Sequence, residues 1–96
     1  MRLNDTTISK FAEDVNTLYH EQYFTFEYKQ DNELVEVSGE VDNWFDIRDF
    51  NVQFIDEDGN RRDCELADYQ RLFKMLVDKV REFYENWRDS WVEDYA

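Results

Sequence analysis

The sequence contains no proline, two glycines, one cysteine and one histidine among its 96 residues. A single cysteine, Cys64, excludes an intrachain disulfide and gives no sign of an oxidising compartment. No apolar run approaches the roughly 18 residues that span a bilayer, and the N-terminus lacks the apolar segment of a signal peptide. We therefore expect a cytoplasmic protein.

Residues suited to catalysis are equally scarce. Hydrolysis or group transfer needs an activated nucleophile, a base or a metal. His20 and Cys64 fall on different predicted elements, and there is no glycine-rich phosphate loop. His20 is better placed to end the first helix, where a cation suits the helix dipole, and Cys64 to pack as a small buried apolar residue. We expect no enzymatic activity and no cofactor.

The segment around Gly59 resembles a calcium-binding loop in part. If Gly59 is aligned with the invariant glycine of an EF-hand loop, Asp56, Asp58 and Glu65 fall at ligand positions. The first ligand position then falls on Phe54, which has no side-chain oxygen, and the flanking segments alternate as strands do. A hairpin turn at Asp58-Gly59 explains the glycine better, so we expect no metal site.

Negative charge is abundant and unevenly distributed. Asp and Glu number 24 against 11 Lys and Arg, a formal net charge of −13. Residues 31–58 hold ten of the acids and a single cation, Arg48, which leaves −9 in that segment. Nucleic acids and anionic membranes would be repelled, whereas basic proteins would be attracted. Such a surface can also reflect solubility or adaptation to high salt.

Hydrophobic periodicity predicts an α+β fold in one domain, residues 1–96. Helical spacing marks an amphipathic helix over residues 5–20, capped by Asp5 or Thr6, and a long helix through residues 69–91, capped by Asp68. Period-two alternation predicts strands at residues 23–29, 34–41, 50–55 and 61–66. We expect an N-terminal helix, about four antiparallel strands and a long C-terminal helix. Both helices should cover one sheet face and leave the other wet.

Gly39 interrupts the inward-facing row of the second predicted strand. A glycine at such a position indicates a bulge or a ring packed closely over the backbone. The last predicted strand should turn Cys64 and Leu66 inward.

Carboxylates at strand and helix spacing could imitate the phosphates of DNA. Strand residues i and i+2 lie about 6.6–6.8 Å apart, and helix residues i and i+4 about 5–6 Å apart. Both are close to the spacing of neighbouring phosphates. A folded surface of this kind would compete with DNA for the groove of a basic DNA-binding protein. The alternative is that these acids are only a solvated surface. The predicted partner-binding set is Glu33, Glu36, Glu40, Asp42, Asp46, Asp49, Asp56, Glu57, Asp58, Asp78, Glu82, Glu85 and Asp89.

The stretches VSGEVDNWFDIRDF and YENWRDSWVEDYA, with Trp44, Trp87 and Trp91, look typical of small phage DNA-mimic proteins. In size, acidity and aromatic content the chain resembles this family of anti-restriction proteins, the Arn group of T-even phages in particular. The resemblance covers the whole chain loosely and includes no short diagnostic motif. It implies inhibition of McrBC, a nuclease that cuts modified DNA, in the cytoplasm of the phage host. It also implies binding to the histone-like protein H-NS and a dimer.

The C-terminal helix keeps aromatic residues to its end, beyond what a small core can absorb. Exposed aromatic patches usually mark interfaces. We expect a homodimer interface at Tyr84, Trp87, Trp91 and Tyr95. The alternative is that Trp87 and Trp91 cap the open end of the sheet. Trp44-Phe45 could likewise form part of an interface or cover the sheet.

A second class of function fits the same charge. The protein could be an acidic interaction module, such as an antitoxin or an adaptor, that binds a basic partner without imitating DNA. A DNA mimic and DNA should displace each other from the partner, whereas an adaptor need not compete with DNA.

Overall fold

The computed structural model describes the backbone of residues 2–18 and 22–95 and the side chains of residues 2–18 and 23–86. The four strands form one antiparallel sheet in the order β1-β2-β3-β4. The predicted α+β fold is confirmed: an N-terminal helix, a four-stranded antiparallel sheet and a long C-terminal helix. The elements are α1 (Asp5–Val15), β1 (Gln22–Gln30), β2 (Glu33–Val41), β3 (Ile47–Ile55), β4 (Arg61–Asp63) and α2 (Leu66–Tyr95).

One hydrophobic cluster lies between the sheet and the two helices. Successive side chains of a strand point to opposite faces, so every second strand residue joins this cluster. Phe11 of α1, Phe54 of β3 and Leu72 of α2 are all completely buried in it. Both helices therefore cover the same sheet face, and Thr25 and Glu27 are exposed on the other.

Helix α1 begins with an asparagine cap. The Asn4 side-chain oxygen accepts a hydrogen bond from the backbone N–H of Thr7 at 2.8 Å, which satisfies one of the free donors at the helix start. The cap is therefore Asn4 and not Asp5 or Thr6. The helix ends at Val15, before the predicted end at residue 20. His20, predicted to end this helix, lies outside the described residues.

Gly39 shows both features predicted for it. A Cβ at this position would lie 3.0 Å from Cζ of Phe24, whose ring packs over the glycine. The pairing register between β2 and β3 also shifts between Ser38 and Glu40. Across from this shift Asp49 has a φ of 55°, the left-handed conformation found at the first position of one common bulge type.

The connection from β4 to α2 differs from the prediction. β4 ends at Asp63, and α2 already begins at Leu66, whose side chain is 69 % exposed and does not face the core. Cys64 is half-buried in the connection, and burial raises the pKa of its thiol. Asp68 does not cap α2: it lies within the first turn, and its buried carboxylate accepts the backbone N–H of Leu3 at 3.0 Å.

Helix α2 makes the molecule long and narrow. Its 30 residues extend about 45 Å at the usual rise per residue. Tyr84 packs beside Phe45 in the β2–β3 loop, and the helix continues to Tyr95. The molecule measures 57 × 22 × 20 Å. Within the described residues, no helix combines the length and apolar character needed to cross a membrane.

Candidate acidic interaction surface

The open face of the sheet carries nearly balanced charge. The strand register brings residues of β4 beside acids of β2 that the sequence separates widely. On this face Arg61 pairs with Glu36 at 2.8 Å. Arg62 also pairs with Glu33, but both have strand positions on the side of the sheet that the helices cover. The charged residues whose strand positions place them on this face are Glu27, Lys29, Glu36, Glu40, Arg48, Arg61 and Asp63. Four acids therefore face three cations, and this face is not the acidic array that the alternation of β2 predicted.

Asp42 is a structural residue, which corrects its place in the predicted binding set. It is buried, at 8 % exposure. Its carboxylate accepts the backbone N–H groups of Trp44 at 2.9 Å and of Asp46 at 3.0 Å, and it pairs with Arg48 Nε at 2.7 Å. The hydrogen bond from the Asp46 backbone and the bond from Arg48 hold the pKa of Asp42 below its usual value. A carboxylate with this many internal donors is not available to a partner.

Asp56 has the same role in the β3–β4 turn. Its carboxylate accepts the backbone N–H groups of Asp58 and Asn60, both at 2.9 Å. The bond from the Asn60 backbone is the main cause of a lowered pKa for Asp56. Glu57 and Asp58 are left exposed at the tip of the turn. The turn thus uses one acid to hold its backbone and presents the next two to solvent.

Two clusters of exposed or half-exposed acids remain at opposite ends of the sheet. The turn cluster consists of Asp31 in the β1–β2 turn and Glu57 and Asp58 in the β3–β4 turn, which an antiparallel meander brings to the same end. The loop cluster consists of Glu40, Asp46 and Asp49 at the other end. The nine residues of β2 separate the two clusters by about 30 Å.

Within the loop cluster, Glu40 already has a neighbour. It lies opposite Tyr23 on β1 and opposite Arg48 on β3. The hydrogen bond to Glu40 and the negative charge of Glu40 raise the pKa of the exposed Tyr23 hydroxyl.

The acids of α2 are interleaved with cations. Asp78, Glu82 and Glu85 are exposed, but Lys79 contacts Glu82 at 3.4 Å. Residues four apart on a helix are neighbours, which places Lys74 beside Asp78 and Arg81 beside Glu85. The side chain of Asp89 lies outside the described residues. The predicted stripe is therefore a mixed surface along its described part.

An aromatic cleft opens between the β2–β3 loop and α2, beside the loop cluster. It has a volume of about 440 Å³, and Trp44 at its edge is 77 % exposed. Phe45 has a φ of 62°, and its ring meets that of Tyr84 edge-on with the ring centroids 5.3 Å apart. This cleft, called the Trp44 cleft below, is lined by Trp44, Asp46 and Ile47 on one side and by Val77, Arg81 and Tyr84 on the other.

The predicted dimer residues are only partly placed. Tyr84 packs on Phe45 of its own chain and is 40 % exposed. The side chains of Trp87, Trp91 and Tyr95 lie outside the described residues. Sequence reasoning noted Trp44-Phe45 but did not anticipate a cleft there, because its far wall comes from a helix some 30 residues later in the chain.

Comparison of the chain with family models, curated proteins and solved structures found no match. The resemblance to phage DNA-mimic proteins therefore stays a prediction.

Proposed function

We propose that this protein is a non-enzymatic inhibitor that occupies the DNA-binding surface of a basic host protein. The observation that carries the proposal is the pair of acidic clusters at the two ends of the sheet, about 30 Å apart. A restriction nuclease of the McrBC kind is the target class that the sequence resemblance suggests, with a histone-like protein such as H-NS as a second. On this proposal the site of action is the host cytoplasm.

One acid of each cluster lies on a backbone held by side-chain hydrogen bonds, which supports this proposal. Asp42 fixes the backbone that presents Asp46, and Asp56 fixes the backbone that presents Asp58. Charges held in place by the fold lose less conformational freedom on binding than charges on a disordered tail. A rigid acidic surface can therefore replace DNA at a lower entropic cost.

The amount of charge limits how strongly such an inhibitor can compete. A net charge of −13 over 57 Å gives one charge per roughly 4.4 Å, against one per about 1.7 Å of duplex DNA. The protein thus offers less than half the charge density of the duplex. We expect binding that weakens steeply with salt and gains affinity from contacts other than charge.

The test is a competition experiment. The immobilised protein is incubated with bacterial lysate, and captured proteins are eluted with a short DNA duplex at constant ionic strength. We expect the duplex to release DNA-binding proteins, and the purified target to lose DNA binding when one equivalent of inhibitor per site is added. A variant in which both acidic clusters are neutralised serves as the control. Captured proteins that resist duplex DNA would contradict DNA mimicry.

The alternative function, an acidic module that binds a basic partner without imitating DNA, is favoured by one observation. The open sheet face combines balanced charge with the exposed ring of Tyr23, whereas a phosphate imitation would be uniformly negative. The same experiment separates the two functions, because such a partner would be captured and would resist elution by the duplex.

The proposed homodimer concerns the aromatic end of α2. Its test is the molar mass in solution, measured by light scattering, of the wild type and of a Trp87→Ala/Trp91→Ala variant. A dimer that persists in this variant would place the interface elsewhere.

A further inference from the structure

The Trp44 cleft combines an exposed aromatic ring, a carboxylate and an apolar floor. Tryptophan is enriched among the residues that contribute most to binding at protein interfaces. At 77 % exposure Trp44 contributes little to the core of its own chain. Its ring is therefore accessible to a partner.

Internal contacts hold the loop that carries Trp44. The Asp42 carboxylate accepts the N–H of Trp44 itself and that of Asp46, and Phe45 is anchored on Tyr84 of α2. Phe45 has a φ of 62°, which is uncommon for a bulky residue and is found where surrounding contacts enforce it. A loop held in this way presents its ring at a lower ordering cost on binding.

The charge at this end of the sheet favours a cation. Among the residues that line the cleft, Asp46 is the acid. Glu40, Asp42 and Asp49 lie at the same end of the sheet, and together with Asp46 and Arg48 they leave a net of −3 there. Arg81 also lines the cleft, but Glu85 lies one helical turn further along α2 and offsets it. Arginine suits such a site better than lysine, because its planar guanidinium stacks on aromatic rings and bonds a carboxylate with two donors.

We propose that the Trp44 cleft receives an arginine side chain of the basic partner, stacked on the Trp44 indole with its guanidinium bonded to the Asp46 carboxylate. This proposal rests on the proposed function, since it assumes a basic partner. The charge density of the protein is lower than that of DNA, so binding needs contacts other than charge. Stacking of an arginine on Trp44 would be such a contact.

The test uses a ten-residue arginine-rich peptide and a lysine peptide of equal charge, each titrated into the full-length protein. Binding is followed by the indole N–H signals of the three tryptophans in NMR spectra, with Trp44→Phe used to assign Trp44. We expect the Trp44 signal to shift most. The arginine peptide should bind about fivefold more tightly than the lysine peptide.

Three variants sharpen the result. Trp44→Ala should weaken binding of the arginine peptide about fivefold, and Asp46→Asn should weaken it by a similar factor. Arg81→Gln should strengthen it, because a competing cation is removed. Leu66→Ala, at another exposed apolar residue far from the cleft, serves as the control and should change nothing. Unchanged thermal unfolding would show that each variant is folded.

The outcomes separate this proposal from the proposed function. If the arginine peptide binds wild type and Trp44→Ala equally well, the cleft proposal is wrong while an acidic binding surface remains. If neither peptide binds the wild type, the acidic surface itself does not attract basic segments, and both proposals fail.

Discussion

The carboxylate of Asp42 lies 2.7 Å from Nε of Arg48 and supports the whole β2–β3 loop. In the sequence these residues look like one acid among many and the lone cation of an acidic segment. In the fold they form a local unit, because the same carboxylate accepts the N–H groups of Trp44 and Asp46. The most acidic part of the chain thus contains charges that stabilise structure as well as charges that face solvent.

The substitution Asp42→Asn tests this role through pH. The pKa of Asp42 is lowered in the folded protein, so its stabilising effect is present above the unfolded pKa of about 3.9 and is lost as pH falls through the lower folded value. We expect Asp42→Asn to lower the Tm by about 5 °C at pH 7, and the gap from wild type to close below about pH 4. Asp46→Asn, which removes an exposed carboxylate, is the matched control. A gap that stays constant from pH 7 to pH 2.5 would contradict the assignment.

The contact between Gly39 and Phe24 gives a packing prediction. Gly39→Ala would place a methyl group 3.0 Å from the Phe24 ring, and overpacking of this kind costs about 1–3 kcal/mol of unfolding free energy. Adding Phe24→Leu should restore part of the loss, because the smaller side chain can move. Urea unfolding of the two single variants and the double variant measures the coupling. Gly59→Ala is the contrast: nothing lies near its Cβ, and its φ of 84° causes strain that Phe24→Leu should not relieve.

The fold was predictable because its signals are local. Alternation over residues 23–29 and helical spacing after Tyr69 each identify an element without reference to the rest of the chain. The end of β4 could not be predicted. A strand of three residues is too short to show an alternation of inward and outward side chains, and a helix follows it after two residues. The charge balance of the sheet was also hidden. Pairing of Glu36 with Arg61 depends on strand register, which joins residues 25 positions apart in the chain.

The hydroxyl of Tyr28 provides a third test. It donates to the Asp14 carboxylate at 2.9 Å and joins β1 to α1, and burial together with this carboxylate raises its pKa. Tyr28→Phe keeps the ring and removes the bond, so we expect a loss of about 1 kcal/mol in unfolding free energy. Chemical denaturation of the wild type and this variant measures it. Tyr28→Phe in an Asp14→Ala background, which has no side-chain acceptor, should cost less, and an equal cost there would show that the hydroxyl acts through another group.

The two acidic clusters can be compared directly. The triple variant Glu40→Gln/Asp46→Asn/Asp49→Asn neutralises the loop cluster, and Asp31→Asn/Glu57→Gln/Asp58→Asn neutralises the turn cluster. Asparagine is chosen at residues 31 and 49 because both have positive φ, which it tolerates. If the target spans the body, each triple variant should weaken binding at least tenfold and reduce its salt dependence, measured as affinity against salt concentration. An effect confined to one variant would limit the contact to that end.

Arg61 and Arg62 offer the sharpest test of whether acidity serves binding. Each neutralises an acid of β2, through the pairs with Glu36 and Glu33. Arg61→Gln/Arg62→Gln changes the net charge from −13 to −15 and frees both carboxylates, at little cost in stability because exposed ion pairs contribute about 0–1 kcal/mol each. We expect tighter, more salt-sensitive binding to the basic target. Lys10→Gln/Arg71→Gln makes the same charge change at exposed positions of the two helices, away from the predicted binding acids, and is the control. Equal gains from both pairs would show that total charge matters and the position of the acids does not, whereas no gain from either would show that the acidity serves solubility alone.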